Sequence, residues 1–215
     1  LLVQAGALTL KRSTTSGLLT GSTLGSVNDS LVRNTRGEMA SYNASVGTAN
    51  LLSASYTRDT TGRITNISES IGAVTSTYQF TYDGAGRLQV ATKNGISVVY
   101  TYDANGNRTS KTTGSVVESA VIDPANDRLL EYAGNTYTYA ATGELATKTN
   151  GNGTTQYDYD VLGALRKVTL PGGSIVEYDY DPLGRRVARK IDGAVTHKWV
   201  YNDGLQVLAE LNAAG

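Results

Sequence analysis

Two pairs of carboxylates, Asp158 with Asp160 and Asp179 with Asp181, sit two residues apart on what reads as one strand face. A glycosidase needs two carboxylates about 5–10 Å apart across a sugar cleft, and this spacing permits that. The same aspartates recur at fixed intervals, however, so a repeated turn accounts for one member of each pair without catalysis. Asp103-Ala104-Asn105-Gly106-Asn107 opens like a calcium loop, yet Arg108 stands where such a loop needs Gly and Gly114 where it needs Glu. It reads as a turn. His197 is the single histidine and there is no cysteine, so multi-histidine zinc sites, thiolate nucleophiles and disulfides are out of reach. Gly21-Ser22-Thr23-Leu24-Gly25 has Thr where a nucleophile elbow needs Ser. The sequence nominates no catalytic residue, no cofactor-binding residue and no metal ligand.

The remaining chemistry lies in arginines and tyrosines. Arg185, Arg186, Arg189 and Lys190 form a basic cluster, but strand alternation sends Arg185 and Arg189 to one face and Arg186 and Lys190 to the other. That favours solvated or tyrosine-stacked roles over phosphate binding. Arg63, Arg87 and Arg185 each follow a turn glycine and are expected to lie over neighbouring tyrosine rings. Tyr100 with Tyr102 and Tyr178 with Tyr180 form same-face ladders that could stack on sugars, although cross-strand packing uses the same spacing.

These residues are positioned by an internal repeat, Tyr-x-Tyr-Asp-x-x-Gly-Arg. Its clearest copies are Tyr82-Asp83-Gly84-Ala85-Gly86-Arg87, Tyr102-Asp103-Ala104-Asn105-Gly106 and Tyr180-Asp181-Pro182-Leu183-Gly184-Arg185. Looser copies run Tyr56…Asp59-Thr60-Thr61-Gly62-Arg63, Tyr139…Gly143 and Tyr159-Asp160-Val161-Leu162-Gly163. Degenerate ones are Asn34-Thr35-Arg36-Gly37, Asp123-Pro124-Ala125-Asn126 and Tyr201-Asn202-Asp203-Gly204. In Asp-x-x-Gly the aspartate accepts hydrogen bonds from its own turn and the glycine takes a positive φ. Second turn signals fall between the copies: Asn94-Gly95, Gly134, Asn150-Gly151, Gly172-Gly173 and Asp192-Gly193. Each repeat is therefore a β-hairpin, and the expectation is an all-β chain, a long meandering and spiralling antiparallel sheet of about fourteen strands. Residues 1–30 form a weakly patterned β lead-in read as a degenerate repeat, and 31–215 the tandem hairpins.

Composition fits that reading and narrows the function. Charge is 18% and balances to zero, which leaves no excess of Lys and Arg for a nucleic-acid footprint. No apolar run approaches the length of a membrane helix. The chain starts at Leu1 without a signal-peptide pattern and is expected to be a piece of something longer. Five Asn-x-Ser/Thr sequons (Asn28, Asn43, Asn66, Asn107 and Asn152) are what chance supplies in a chain this rich in Asn, Ser and Thr.

On these repeated Tyr-Asp-x-x-Gly-Arg residues, the sequence over about 30–215 resembles the YD-repeat, or Rhs-repeat, family. That family includes bacterial Rhs polymorphic toxins, wall-associated proteins, shell components of insecticidal toxin complexes, and teneurins. The resemblance implies a sheet that spirals into a hollow shell enclosing a C-terminal toxin, often delivered by type VI secretion. On this reading the chain is a non-enzymatic shell segment, secreted or at the bacterial cell surface. Its partners are other repeats of the parent chain and a toxin or effector domain lying beyond Gly215. The shell-closing Asp-Pro-x-Gly-Leu segment of such toxins has no match here, since Arg185 follows Asp181-Pro182-Leu183-Gly184, and no protease role passes to Asp181. The alternative is an extracellular carbohydrate-binding or adhesion module using Tyr100, Tyr102, Tyr178 and Tyr180. Open sheet edges also predict self-association of the isolated piece.

Overall fold

The computed structural model describes residues 2–215, and among them every regular element is a β-strand. In chain order the first ten are β1 (Gln4–Ala5), β2 (Leu8–Arg12), β3 (Leu19–Leu24), β4 (Val27–Arg33), β5 (Met39–Val46), β6 (Ala49–Arg58), β7 (Ile64–Ile71), β8 (Val74–Tyr82), β9 (Leu88–Lys93) and β10 (Ile96–Tyr102). Then follow β11 (Arg108–Thr113), β12 (Val116–Ile122), β13 (Leu129–Tyr132), β14 (Asn135–Tyr139), β15 (Leu145–Asn150) and β16 (Gly153–Tyr159). The last five are β17 (Leu165–Thr169), β18 (Ile175–Tyr180), β19 (Arg186–Ile191), β20 (Ala194–Tyr201) and β21 (Val207–Asn212). No helix long and apolar enough to cross a membrane occurs among the described residues.

The chain divides into two compact units. The first holds residues up to Tyr102 together with Ser110–Val117; the second holds Asp103–Thr109 and Glu118–Gly215. In the first, β1 to β10 form an antiparallel meander in which each strand pairs with the next in sequence, as in Tyr78↔Lys93 and Val99↔Val90. In the second, the part of β12 from Glu118 onward and β13 to β21 do the same, as in Thr138↔Thr147 and Asp179↔Ala188. A sequential meander follows from hairpin turns recurring about every ten residues, with no connection long enough to cross over.

Alternation gives each sheet two unlike faces. One carries the tyrosines, half-buried against their neighbours: Tyr78, Phe80 and Tyr82 on β8, Val98, Tyr100 and Tyr102 on β10, Tyr137 and Tyr139 on β14. The opposite face is exposed and rich in paired hydroxyls. Thr92 meets Ser97 at 2.8 Å, Ser70 meets Thr75 at 2.8 Å, Thr138 meets Thr147 at 2.6 Å and Thr149 meets Thr154 at 2.9 Å. No second layer covers either face. Among the described residues only Ala54 and Val168 are buried hydrophobics, 7% and 8% exposed, and no large side chain is fully enclosed.

Two kinds of turn alternate between the rims. On one rim the Asp-x-x-Gly loops close with the amide of the first residue donating to the carbonyl of the fifth, as Asp83 to Arg87 and Asp181 to Arg185. On the other rim two-residue turns dominate. Asn94–Gly95 and Asp192–Gly193 have positive φ at both positions, the type I′ signature that matches strand twist. Asn150-Gly151 differs from the hairpin signal it carries, since the positive φ lies at Gly153 and Asn150 Oδ1 accepts from the Asn152 amide. Gly172-Gly173 lies in a five-residue loop, with the Leu170 amide donating to Ser174.

The described residues form twenty-one strands, more than the fourteen expected. The expectation counted hairpins by their Tyr-Asp signature. Residues 4–58 fold as β1 to β6 with turns that lack it; the repeat with Ala140 in place of aspartate keeps the same turn geometry, and the one after Ile122 closes one residue wider, with the Asp123 amide donating to Arg128.

Backbone geometry yields a paired prediction. Gly21 in β3 is buried, and a Cβ there would press into the backbone carbonyl of Asp29 on β4. Ala133 holds φ +49, a left-handed conformation that penalises a Cβ. In urea melts, Gly21→Ala is expected to cost about 1–3 kcal/mol, whereas Ala133→Gly should gain about 1 kcal/mol.

Candidate functional site

The turn aspartates organise the loops in which the signature residues sit. Asp83 Oδ1 accepts from the amides of Ala85 (3.0 Å) and Arg87 (2.9 Å), and its Oδ2 takes Arg87 Nε at 2.7 Å. Asp181 repeats this with Leu183 (2.9 Å), Arg185 (2.9 Å) and Arg185 Nε (2.6 Å). Asp59 does so with Thr61 and Arg63, adding the Thr61 hydroxyl at 2.7 Å. Asp103 uses Asn107 for both the amide and the side-chain bond, at 2.8 and 3.0 Å, and Asp160 accepts from Leu162 and Ala164 at 2.9 Å each. At four of them the donors favour the ionised carboxylate. The Thr61 and Arg63 bonds push Asp59 far below the ordinary carboxylate range, Arg87 lowers Asp83, Asn107 lowers Asp103 and Arg185 lowers Asp181.

The tyrosine before each turn ties one repeat to the preceding one. Tyr82 donates its hydroxyl to the Ile64 carbonyl at 2.7 Å, Tyr102 to Leu88 at 2.8 Å and Tyr139 to Leu129 at 2.8 Å. Tyr180 does the same to Leu165 at 2.9 Å, and Tyr201 to Arg186 at 2.9 Å. The register explains the recurrence. The β7–β8 ladder ends at Asn66↔Gln79, so Ile64 lies two residues past it and Tyr82 three residues past it. The β9–β10, β13–β14, β17–β18 and β19–β20 ladders end at Val90↔Val99, Glu131↔Thr136, Lys167↔Glu177 and Ala188↔Lys198, which place the other four pairs identically. Where the strands part, the first carbonyl beyond the ladder loses its backbone donor, and the tyrosine replaces it.

Arginine covers the tyrosine ring from the previous turn. Arg63 lies 4.5 Å from the Tyr82 centroid, Arg87 4.6 Å from Tyr102, Arg128 5.3 Å from Tyr139 and Arg185 4.9 Å from Tyr201. One guanidinium thus closes its own turn on aspartate and covers the next repeat's tyrosine. Neighbouring turns also touch directly: Arg36 Nη2 donates to Thr60 O at 2.7 Å, Asn105 and Asn107 amides donate to Asp127 Oδ1 at 2.9 and 2.8 Å, and Arg185 Nη1 donates to Gly204 O at 3.2 Å.

In the N-terminal repeats arginine takes the tyrosine's place, a substitution the Tyr-Asp signature does not reveal. Arg12 Nε donates to Leu2 O at 2.8 Å and Arg58 Nη2 to Met39 O at 3.2 Å. Both stand three residues past a ladder end, after Gln4↔Thr9 and Ser41↔Ser55, and their acceptors lie two past it. The two arginines share a following small polar or acidic residue and a glycine at the end of the turn, as in Arg12-Ser13-Thr14-Thr15-Ser16-Gly17 and Arg58-Asp59-Thr60-Thr61-Gly62.

The other nominated residues fall into separate places. Asp158 is opposite Lys167 within a ladder, while Asp160 serves its turn; Asp179 pairs with Lys190 Nζ at 2.8 Å, while Asp181 serves its own. Arg185 lies in the turn, outside β19, and a bulge opposite Asp179 and Tyr180 shifts the alternation expected for the basic cluster. That places Arg186, not Arg185, over Tyr178 at 4.1 Å and near Tyr180 at 5.9 Å. Of the sugar-stacking candidates, Tyr102 and Tyr180 spend their hydroxyls on backbone carbonyls, and arginines lie over Tyr102 and Tyr178. His197 faces Arg189, with Nδ1 2.5 Å from Nη2, and stacks on Trp199 at 6.2 Å. Gly62, Gly86, Gly106, Gly163 and Gly184 all close signature turns with positive φ. Tyr159 holds the same register place as the bonded tyrosines, but the preceding turn ends in Glu144 rather than arginine; burial, then Tyr157 and Glu144, push its hydroxyl up.

Two predictions follow from this lattice. Tyr82→Phe removes the bond to Ile64 and should cost about 1 kcal/mol in a urea melt; an unchanged midpoint would show that the hydroxyl contributes nothing. The lowered aspartates stabilise the fold fully above the ordinary carboxylate value of 3.8, and that contribution is lost as pH falls through their native values. The melting temperature should therefore drop steeply between about pH 4 and pH 2, and Asp181→Asn should lower stability at neutral pH while flattening that drop.

With this geometry in view, the chain was compared with known proteins. No curated protein matches it. The chain is similar in fold to a TcdB2-TccC3-Cdc42 crystal structure (14% identity, TM-score 0.48), covering 94% of this chain and 13% of that one. It is similar to a Photorhabdus luminescens Tc holotoxin pore with a TccC3 mutation (12% identity, TM-score 0.48), covering 95% and 16%. A porin-like protein from Bacteroides uniformis follows at 14% identity and TM-score 0.33, covering 88% and 90%. The chain thus spans less than a fifth of the length of the toxin chains it matches. Residues 1–212 match the family described as Teneurin YD-shell, and the chain belongs to that family.

Proposed function

We propose that this chain is a length of wall in a YD-repeat shell, that it is not an enzyme, and that its mechanism is enclosure. The observation that carries the reading is a sheet whose only buried hydrophobics among the described residues are Ala54 and Val168, held by contacts from each repeat to the next. Such a sheet spends its side chains on lateral cohesion, which suits a barrier between two compartments better than a pocket for substrate. The enclosed cargo is a C-terminal toxin or effector domain outside this chain, and the parent protein is secreted or displayed at a bacterial cell surface, with type VI secretion as a delivery route. Glycan binding is the weaker reading, since arginine lies over the rings of Tyr102 and Tyr178.

The test is the native size of the parent protein from the same gene against its mass after denaturation. A smaller C-terminal piece released only by denaturant is expected. A single uncleaved chain ending near Gly215 would overturn enclosure. Tyr100→Ala with Tyr102→Ala would then be tested for loss of glycan retention.

A further inference from the structure

Three turns on one rim of the second unit carry apolar tips: Val161-Leu162, Pro182-Leu183 and Leu205. Leu162 is 90% exposed, Leu183 75% and Leu205 83%, and Val161 is fully exposed. The turn itself does not need them: earlier turns carry Thr60-Thr61, Gly84-Ala85 and Ala104-Asn105 where the first two have Val161-Leu162 and Pro182-Leu183, and Leu205 stands at the fourth position, where those turns have Gly62, Gly86 and Gly106. Single exposed leucines need no explanation, but three successive turns on one rim make a row.

The row has a fixed spacing and a charge. Two strands separate neighbouring tips, β17 and β18 for the first pair and β19 and β20 for the second, which sets them about 9.6 Å apart. Arg185 Nη1 on Gly204 O fixes the second turn against the third. Asp160 is held by backbone amides alone, with Ala164 where other turns have arginine, and Asp203 is exposed beside Leu205. Asp181 is offset by Arg185, so within the three turns themselves Asp160 and Asp203 leave a net acidic charge.

We infer that this rim docks an amphipathic α-helix lying across the strand ends, with apolar residues seven apart and Lys or Arg beside them. Seven residues of helix rise about 10.5 Å, close to the spacing of the tips. The aspartates favour a basic flank and oppose both an anionic membrane and the same rim of a second copy.

The test uses the full chain and a fluorescent synthetic helical peptide of about three heptads, with Leu every seventh residue flanked by Lys. A peptide of the same composition with its leucines redistributed is one control, and phosphatidylglycerol vesicles are another. Binding of the heptad peptide is expected to fall about tenfold or more in the combined Leu162→Asp, Leu183→Asp and Leu205→Asp variant, with an unchanged thermal melt. Each single variant should lose part of that binding, which keeps the test readable if the combination misfolds. Equal binding of the redistributed peptide, equal binding by the variants, no binding by the native chain, or uptake by vesicles instead of peptide would each overturn the proposal.

Discussion

A carbonyl just past the end of a β-ladder has lost its backbone donor, and in a single-layer sheet no second layer brings another to it. Five tyrosine hydroxyls meet that need in this chain, at Ile64, Leu88, Leu129, Leu165 and Arg186, from the same register position each time. Four of these tyrosines, Tyr82, Tyr139, Tyr180 and Tyr201, stand at a bulge in the hairpin that follows, as between Thr81 and Tyr82 or Asp179 and Tyr180. The bulge lets five residues turn back without splaying the hairpin, and it also swings the tyrosine toward the preceding repeat. Turn shape and inter-repeat bonding are therefore one structural event.

The rest of the signature depends on that event. A tyrosine reaching back presents a ring, and the arginine that follows the previous turn's glycine lies over it. At Arg63 and Arg87 the turn aspartate holds the Nε and orients the chain. Aspartate in turn is fixed by the amides of its own loop. Each link is worth little at an exposed site, and an ion pair such as Arg87–Asp83 counts for little alone. Joined through one guanidinium, they replace the ordering that a packed core supplies in layered folds.

Much of this was legible in the sequence because the repeat forces it. Asp83, Gly86 and Arg87 in a fixed spacing specify a turn with an acceptor, a positive φ and a cation, and the covering of Tyr82 by Arg63 follows from period and strand length. What the tyrosine hydroxyl does was not legible, since it depends on where a ladder ends, and that has no residue signature. Nor was the exchange of Tyr for Arg at Arg12 and Arg58, two residues alike only in carrying a donor on a long side chain. The strand count fell short for the same reason: repeats were recognised by tyrosine and aspartate, while the hairpin needs only a turn and a donor.

That last point explains how the repeat tolerates its own decay. Within each unit a strand pairs only with its neighbours in sequence, so stability is close to a sum of nearest-neighbour terms and a defect stays local. Ile122 can stand where tyrosine is usual, and Ala164 where arginine is usual, because the turns on either side keep their own bonds. In a protein with one shared core, the same substitutions would be felt across the whole domain. A meander without a core can drift residue by residue while keeping its register, and the side chains of Val161, Leu183 and Leu205, which take no part in the lattice, are free to acquire surfaces of their own.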